Sequence, residues 1–364
     1  MSRYFYYLVF VNMVANVVAS VPKILLEKKS EGAIVSMVLA IIIGMVLCYI
    51  VAKFFTSFPG QGLPELMKKY LPRWFANMLL LFVASAWYIA GLITLVTYSF
   101  LLKRFLTPDM PLVWITSIFL LFISYGILMK TSSVLYTIEF VLLCSTPIIV
   151  LIMIKSYTTP QLKWDFIRES VMHIYHVPSF SALSASTYLL LGGFNLIVFN
   201  RFFTKNHKIT LKQILFIGMV GAGALFTTYF IPIGMNGFES VEMIAYPWIS
   251  TSDTLRLELG VIERILFVFL ILYLAISFLS LLIHWHVSLE LFKSVLEFKR
   301  LKWKGKSVTP FLVIGLFWFS SIRVTKYLTE YQLTLYTSYF FNLLLCSLIV
   351  MIGLFWFILR RAKS

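Results

Sequence analysis

Charge is scarce in this 364-residue chain: Asp, Glu, Lys and Arg make up 13% of it, about half the share of an ordinary soluble domain. Acids are scarcer still, 15 against 31 Lys and Arg, which leaves a net charge of +16. In a soluble protein that excess would point to nucleic acid. Here the basic residues fall between apolar runs and form no continuous face, so no nucleic-acid partner is expected. Cysteine is nearly absent too. Cys48, Cys144 and Cys346 sit in three different apolar runs, which excludes a disulfide framework and metal-type spacing and leaves helix packing as their role. No nucleophile elbow, phosphate loop, metal-ligand set or paired carboxylate is present, so neither catalytic residues nor a metal or cofactor are expected, and the chain does not read as an enzyme. His173 and His176 have no further ligands beside them and read as solvated. His284 and His286 alternate on a helix, point too far apart to chelate, and read as interfacial.

What the chain has in abundance is apolar sequence: 60% of its residues are hydrophobic and its mean hydropathy is +0.91. Spanning about 30 Å of hydrocarbon takes about 20 helical residues, and ten such runs can be bracketed: 4–25, 33–55, 74–102, 112–129, 133–154, 179–203, 214–235, 261–287, 309–322 and 334–359. The fold class is therefore all-α integral membrane, one transmembrane domain over 1–364, with lipid as its surroundings. Arg3 before the first run and Ala19 and Ser20 after it imitate a secretion signal, but Asn12 and Asn16 interrupt the apolar centre, and an uncleaved first helix is the better reading. With the N-terminus inside, most Lys and Arg fall on the inner side, including six between Lys293 and Lys306 and three at the C-terminal end. Both termini are thus expected in the cytoplasm. The acidic outer loop 236–260 reads as interfacial, anchored by Tyr246 and Trp248, with a lid as the alternative.

Ionisable groups at bilayer depth are costly and therefore informative. Glu139, in the fifth run, is the one acid that qualifies; a proton-coupling or gating role and an interhelical hydrogen bond both fit it. Asn12, Asn16 and Ser20 recur every four residues and so share one face of the first helix. The sixth run carries a second polar cluster around Gly192, Gly193 and Asn195. Paired glycines weaken a helix by about 1 kcal/mol each and let it open at mid-membrane, as in the broken helices of secondary transporters; the other reading is close packing of a neighbouring helix. Ten helices divide as five plus five (1–154 and 179–359), which makes helices one and six counterparts in an inverted repeat. Tyr88 in helix three and Tyr273, Ser277 and Ser280 in helix eight are placed to line the same cavity.

Three stretches carry a resemblance: Phe58-Pro59-Gly60-Gln61-Gly62-Leu63-Pro64-Glu65-Leu66 continuing to Tyr70-Leu71-Pro72-Arg73-Trp74, Glu139 with Pro147, and Leu191-Gly192-Gly193-Phe194-Asn195. Over nearly its whole length the chain resembles the B-subunit (GerAB-type) spore germination proteins of the amino acid/polyamine/organocation transporter superfamily. That resemblance implies a five-plus-five bundle whose broken helices one and six surround a small-molecule site. It also implies work beside A-type and C-type germinant receptor subunits in a bacterial cell membrane or spore inner membrane. The ligand would be a germinant such as an amino acid, bound by Asn12, Asn16, Ala19, Tyr88, Gly192, Gly193, Phe194, Asn195, Tyr273 and Ser277, with Glu139 coupling or gating. An amino acid permease or proton-coupled symporter of the same superfamily is the alternative. Two departures stand out: Asn195 occupies a position where the family often has an acid, and helix one has only Ala19, Ser20 and Pro22 at its expected break.

Overall fold

The computed structural model describes residues 3–204, 209–256, 265–296, 302–303 and 306–363. Among them the chain is helical apart from a two-residue antiparallel pair, Lys302–Trp303 with Lys306–Ser307. The helices are α1 (Arg3–Asn16), α2 (Ser20–Glu27), α3 (Ala33–Thr56), α4 (Leu63–Tyr70), α5 (Arg73–Phe105), α6 (Leu112–Ile127), α7 (Thr131–Thr158) and α8 (Trp164–Val171). They continue with α9 (Phe180–Leu190), α10 (Leu196–Phe199), α11 (Leu211–Asn236), α12 (Pro247–Thr254), α13 (Ile265–Val295), α14 (Thr309–Tyr327) and α15 (Glu330–Lys363). Among the described residues, seven stretches are long and apolar enough to cross a membrane: α3, α5, α7, the run Phe180–Phe202 that contains α9 and α10, α11, α13 and α15. The bent pair α1 and α2 makes an eighth. The shorter apolar α6 and the 19-residue α14 occupy the places of the remaining two expected spans. The chain is an all-α membrane protein.

The first span bends by 55° between α1 and α2. Pro22 lies in the first turn of α2, where its missing N–H costs no helical hydrogen bond, and Ala19 takes φ −119° and ψ −81° before it. The sixth span departs from the α pattern without opening. After Leu190 the backbone tightens into a 3-10 turn over Leu191–Asn195, returns to α over Leu196–Phe199 and tightens again over Asn200–Phe202.

Burial separates centre from periphery. In an 18-residue apolar stretch of each, 94% of the residues of the sixth span are buried and only 22% of those of α7; α7 and α15 present Phe140, Leu143, Leu343 and Ile349 outward, as lipid-facing helices should. Cys48 is buried, and its thiol donates to Leu190 O at 3.3 Å; Cys144 and Cys346 lie on outward faces and do not fill the packing role expected of them. Four of the spans pack against the span five places later: α1 against Leu191–Asn195, α3 against α11, α5 against α13, and α6 against α14. The loop after α11 also differs from expectation. α12 folds inward against α11 and α13, burying Trp248 and Tyr246, because the Trp248 indole N–H finds Thr228 Oγ1 at 2.6 Å inside the bundle and needs no interface water.

Candidate functional site

Two ends of the bundle can be told apart by their contacts. Arg3, Arg201 and Arg361 mark one, called here the terminal face; Lys23, Lys29, Arg104 and Glu242 mark the opposite face. From the opposite face, three cavities follow one another toward the middle.

The outermost, a vestibule of about 460 Å³, is lined by Ala19, Ser20, Lys23 and Glu27 of the first span, Glu242 and Tyr246 of the following loop, and Glu330 and Tyr331 of α15. It falls within the volume range of small-molecule sites, about 300–1,000 Å³. Its charges are held in place: Lys23 Nζ sits 3.3 Å from Glu27 and donates to Glu242 O at 2.6 Å. Glu330 pairs with Arg104 at 2.7 Å, and the buried Lys29 with Glu242 at 2.8 Å. Inward of it, a constriction of about 10 Å³ lies among Asn16, Ser20, Ala90, Thr97, Tyr188 and Tyr273, space for about one water. Beyond that is a central cavity of about 40 Å³ lined by Asn12, Trp87, Tyr188, Phe194, Asn195 and His284, within a wall that is otherwise apolar but for Ser347. Shared residues join the three: Ser20 and Thr97 the first two, Ala90 and Tyr188 the last two.

The polar groups of the central cavity come from the irregular backbone of helix six. A helix that stops leaves its last carbonyls without partners. Asn12 supplies two: its Nδ2 donates to Tyr188 O at 2.8 Å and to Leu189 O at 3.1 Å. Asn16 donates back to Asn12 O at 2.8 Å. Asn195 donates to Gly192 O at 3.0 Å and accepts from Trp87 Nε1 at 2.7 Å, so its amide serves both as donor and as acceptor, which a carboxylate could not. Replacing Asn12 with Leu should therefore lower the thermal unfolding temperature in detergent more than Asn16→Leu. Only Asn12 serves carbonyls of a second helix, and a buried acceptor that loses its donor costs about 1–3 kcal/mol.

Gly192 is where α1 and helix six touch. A Cβ there would stand 2.4 Å from Leu8 O and 2.7 Å from Val9 Cα, both backbone, whereas a Cβ on Gly193 would meet side chains, the Phe5 ring edge at 3.2 Å and Cys48 Sγ at 3.7 Å. Gly192 thus packs closely against a neighbour, while the cavity opens beside Phe194 and Asn195. Of the other expected site residues, Ala19 lines the vestibule and Tyr273 the constriction. Ser277 is buried on α13. Tyr88 turns away: its hydroxyl meets Ser320 Oγ at 2.6 Å, and its ring stacks on Trp285. Glu139 is far along the chain from its partners, accepting from Tyr4 at 3.0 Å and pairing with Arg3 at 3.0 Å near the terminal face.

Sequence reasoning missed Trp87 and His284. Trp87 belongs to the stripe Val83, Ala86, Trp87 and Ala90, spaced as one helix face, and only the choice of its neighbour Tyr88 hid it. His284 and His286 are buried, not interfacial; His284 Nδ1 lies 2.7 Å from Ser280 O, so Nδ1 carries the proton and Nε2 is an acceptor.

The terminal face is closed by the first of the family-like stretches. Asn200, at the end of helix six, donates to Phe58 O at 2.8 Å and Gln61 O at 2.7 Å, and Gly60 N–H donates to Phe203 O at 2.9 Å. Gly60 takes φ +75°, which favours glycine. Arg201 then spans two helices, reaching Glu65 of α4 at 2.8 Å and Glu290 of α13 at 2.9 Å. Helix six is thereby latched to α3–α4 and to α13 on one side of the cavities, while the vestibule stands open on the other.

A comparison with protein families matches residues 2–329 to the family described as spore germination protein. A comparison with curated proteins found no match.

Proposed function

The chain belongs to the spore germination protein family, and we propose that it is the ligand-binding membrane subunit of a germinant receptor, taking a small amino-acid-like molecule into the central cavity. The observation that supports this reading best is the row of cavities leading from a charged vestibule to Asn12, Trp87, Asn195 and His284, with the far end latched by Arg201. At about 40 Å³ the centre holds only a few water-sized groups, so binding requires α1 and helix six to separate. That gives the ligand its differential affinity for one conformation, without which nothing would be signalled. Asn12 and Asn195, released from helix-six carbonyls and Trp87, would orient the polar ends, and Phe194 the apolar part. The packing of spans onto those five places later supports the five-plus-five inverted repeat, and the basic terminal face supports cytoplasmic termini. A-type and C-type subunits are the partners to which the change would pass.

In a germination assay across the common amino acids, Asn195→Leu, which leaves the Trp87 N–H without its acceptor, should abolish the response while the protein still accumulates in the membrane. An unchanged response would remove the central cavity from the reading. The permease reading draws on the same geometry, a cavity open to one face and latched at the other. It expects uptake of a labelled amino acid by proteoliposomes that contain this chain alone; the receptor reading expects none.

A further inference from the structure

Apart from the three cavities of the row, a further crevice lies beside the first span's bend, walled by hydrocarbon except for Trp248 and for Tyr273, which it shares with the constriction. Three helices each give it one stripe at helical spacing. Ile149, Ile152 and Met153 come from α7, Phe269, Leu272 and Ile276 from α13, and Val14, Val17 and Val18 from the end and bend of α1. Trp248 of α12, itself buried, also lines it. We propose that this crevice is a lipid site, occupied by an acyl chain of the surrounding bilayer, and that the chain braces the bend of the first span.

The occupant follows from where the crevice opens and what fills its walls. Its rim is continuous with the lipid-facing surface: Ile148 and Leu151 on α7, and Phe267 and Ile271 on α13, are exposed beside the buried or half-buried wall residues. Two side chains in the wall carry polar atoms, Trp248 and Tyr273; the indole N–H is already spent on Thr228, and one hydroxyl falls short of the two to four polar partners that water in a cavity needs. The volume is about 60 Å³, room for about four to six water- or methylene-sized groups at about 10–15 Å³ each. Hydrocarbon fits, and the bilayer supplies it at the rim. Contact with the bend is direct and also relayed: Val17 and Val18 form one wall, and Thr228, which accepts from Trp248, donates to Val17 O. The site stands whether or not the central cavity binds an amino acid.

The test is photolabelling of the purified full chain in vesicles of phosphatidylglycerol carrying a diazirine in one acyl chain, with adducts mapped by peptide mass spectrometry. Adducts on Trp248, Val18 or Met153, added to those on the outward faces, are the expected result. They should disappear in Ile152→Trp, whose larger side chain fills the crevice, while outward labelling persists. Should that variant fail to fold, Leu272→Phe reads the same loss from the opposite wall. Adducts confined to Ile148, Leu151, Phe267 and Ile271 in the wild-type chain would overturn the proposal. So would loss of the Trp248 adduct on adding an apolar amino acid, which would make the crevice part of the ligand site.

Discussion

Gly192→Ala is expected to cripple the protein, and Gly193→Ala to be tolerated, although the two positions are adjacent and the added group is a single methyl. The methyl on Gly192 would be aimed at the main chain of α1, 2.4 Å from Leu8 O and 2.7 Å from Val9 Cα. Neither atom can rotate away, so the helices must part. Overpacking a core by a methylene costs about 1–3 kcal/mol even when side chains can yield, and here the separation also strains the bonds from Asn12 to Tyr188 O and Leu189 O. The methyl on Gly193 faces the edge of the Phe5 ring at 3.2 Å and Cys48 Sγ at 3.7 Å, which a shift of a few tenths of an ångström relieves. Membrane levels and thermal unfolding of both variants check the contrast. Equal tolerance of the two would mean that α1 does not lie against Gly192, and a larger loss at Gly193 would reverse the assignment of the close approach.

Arg201→Ala is expected to release the terminal face. Its guanidinium holds Glu65 and Glu290, on two different helices, at 2.8 and 2.9 Å, with side-chain exposures of 27% for Arg201, 46% for Glu65 and 19% for Glu290. That intermediate exposure sets the magnitude: exposed pairs contribute about 0.2–1 kcal/mol, and breaking a buried one costs about 3–5. A loss of about 1.4 kcal/mol would shift the latch equilibrium tenfold. The readout is the rate at which an impermeant maleimide reaches Ile197→Cys, in a chain whose own three cysteines are replaced, with serine at Cys48 to keep the bond to Leu190 O. A roughly tenfold faster reaction is expected for Arg201→Ala. Arg201→Lys should fall between, since a lysine ammonium is a point charge and lacks the planar fork that reaches two carboxylates at once. No change in rate would leave the latch without a gating role.

The features that follow from local chemistry were legible in the sequence. Apolar runs gave the spans because lipid leaves the backbone no other partner. The four-residue spacing of Asn12 and Asn16 placed both toward the bundle, and the pairing of Asn12 with helix six follows from polar groups at the same depth. The stretch Phe58–Leu66 was recognisable as a motif, but its grip on the end of helix six was not, because Asn200 and Arg201 lie about 140 residues away and nothing local ties them to Gln61 or Glu65. The same distance hid the pairing of Glu139 with Arg3 and Tyr4, which composition alone presents as an isolated acid. At Tyr88 the reading missed by one residue: a helix turns 100° per position, so the adjacent Trp87 faces the cavity while Tyr88 faces α14. The vestibule was the least legible part. Glu242 and Glu330 are ordinary loop and helix-end acids until the segment after α11 and the start of α15 pack against α2.

The most direct measurement is a structure of the chain in a lipid nanodisc with an amino acid that triggers germination bound. The expected density lies between Asn12, Trp87, Asn195 and His284, with α1 displaced from Gly192 to make room. Density elsewhere, with the central cavity still closed and Asn12 still bonded to Tyr188 O and Leu189 O, would contradict ligand binding at the junction of the first and sixth spans.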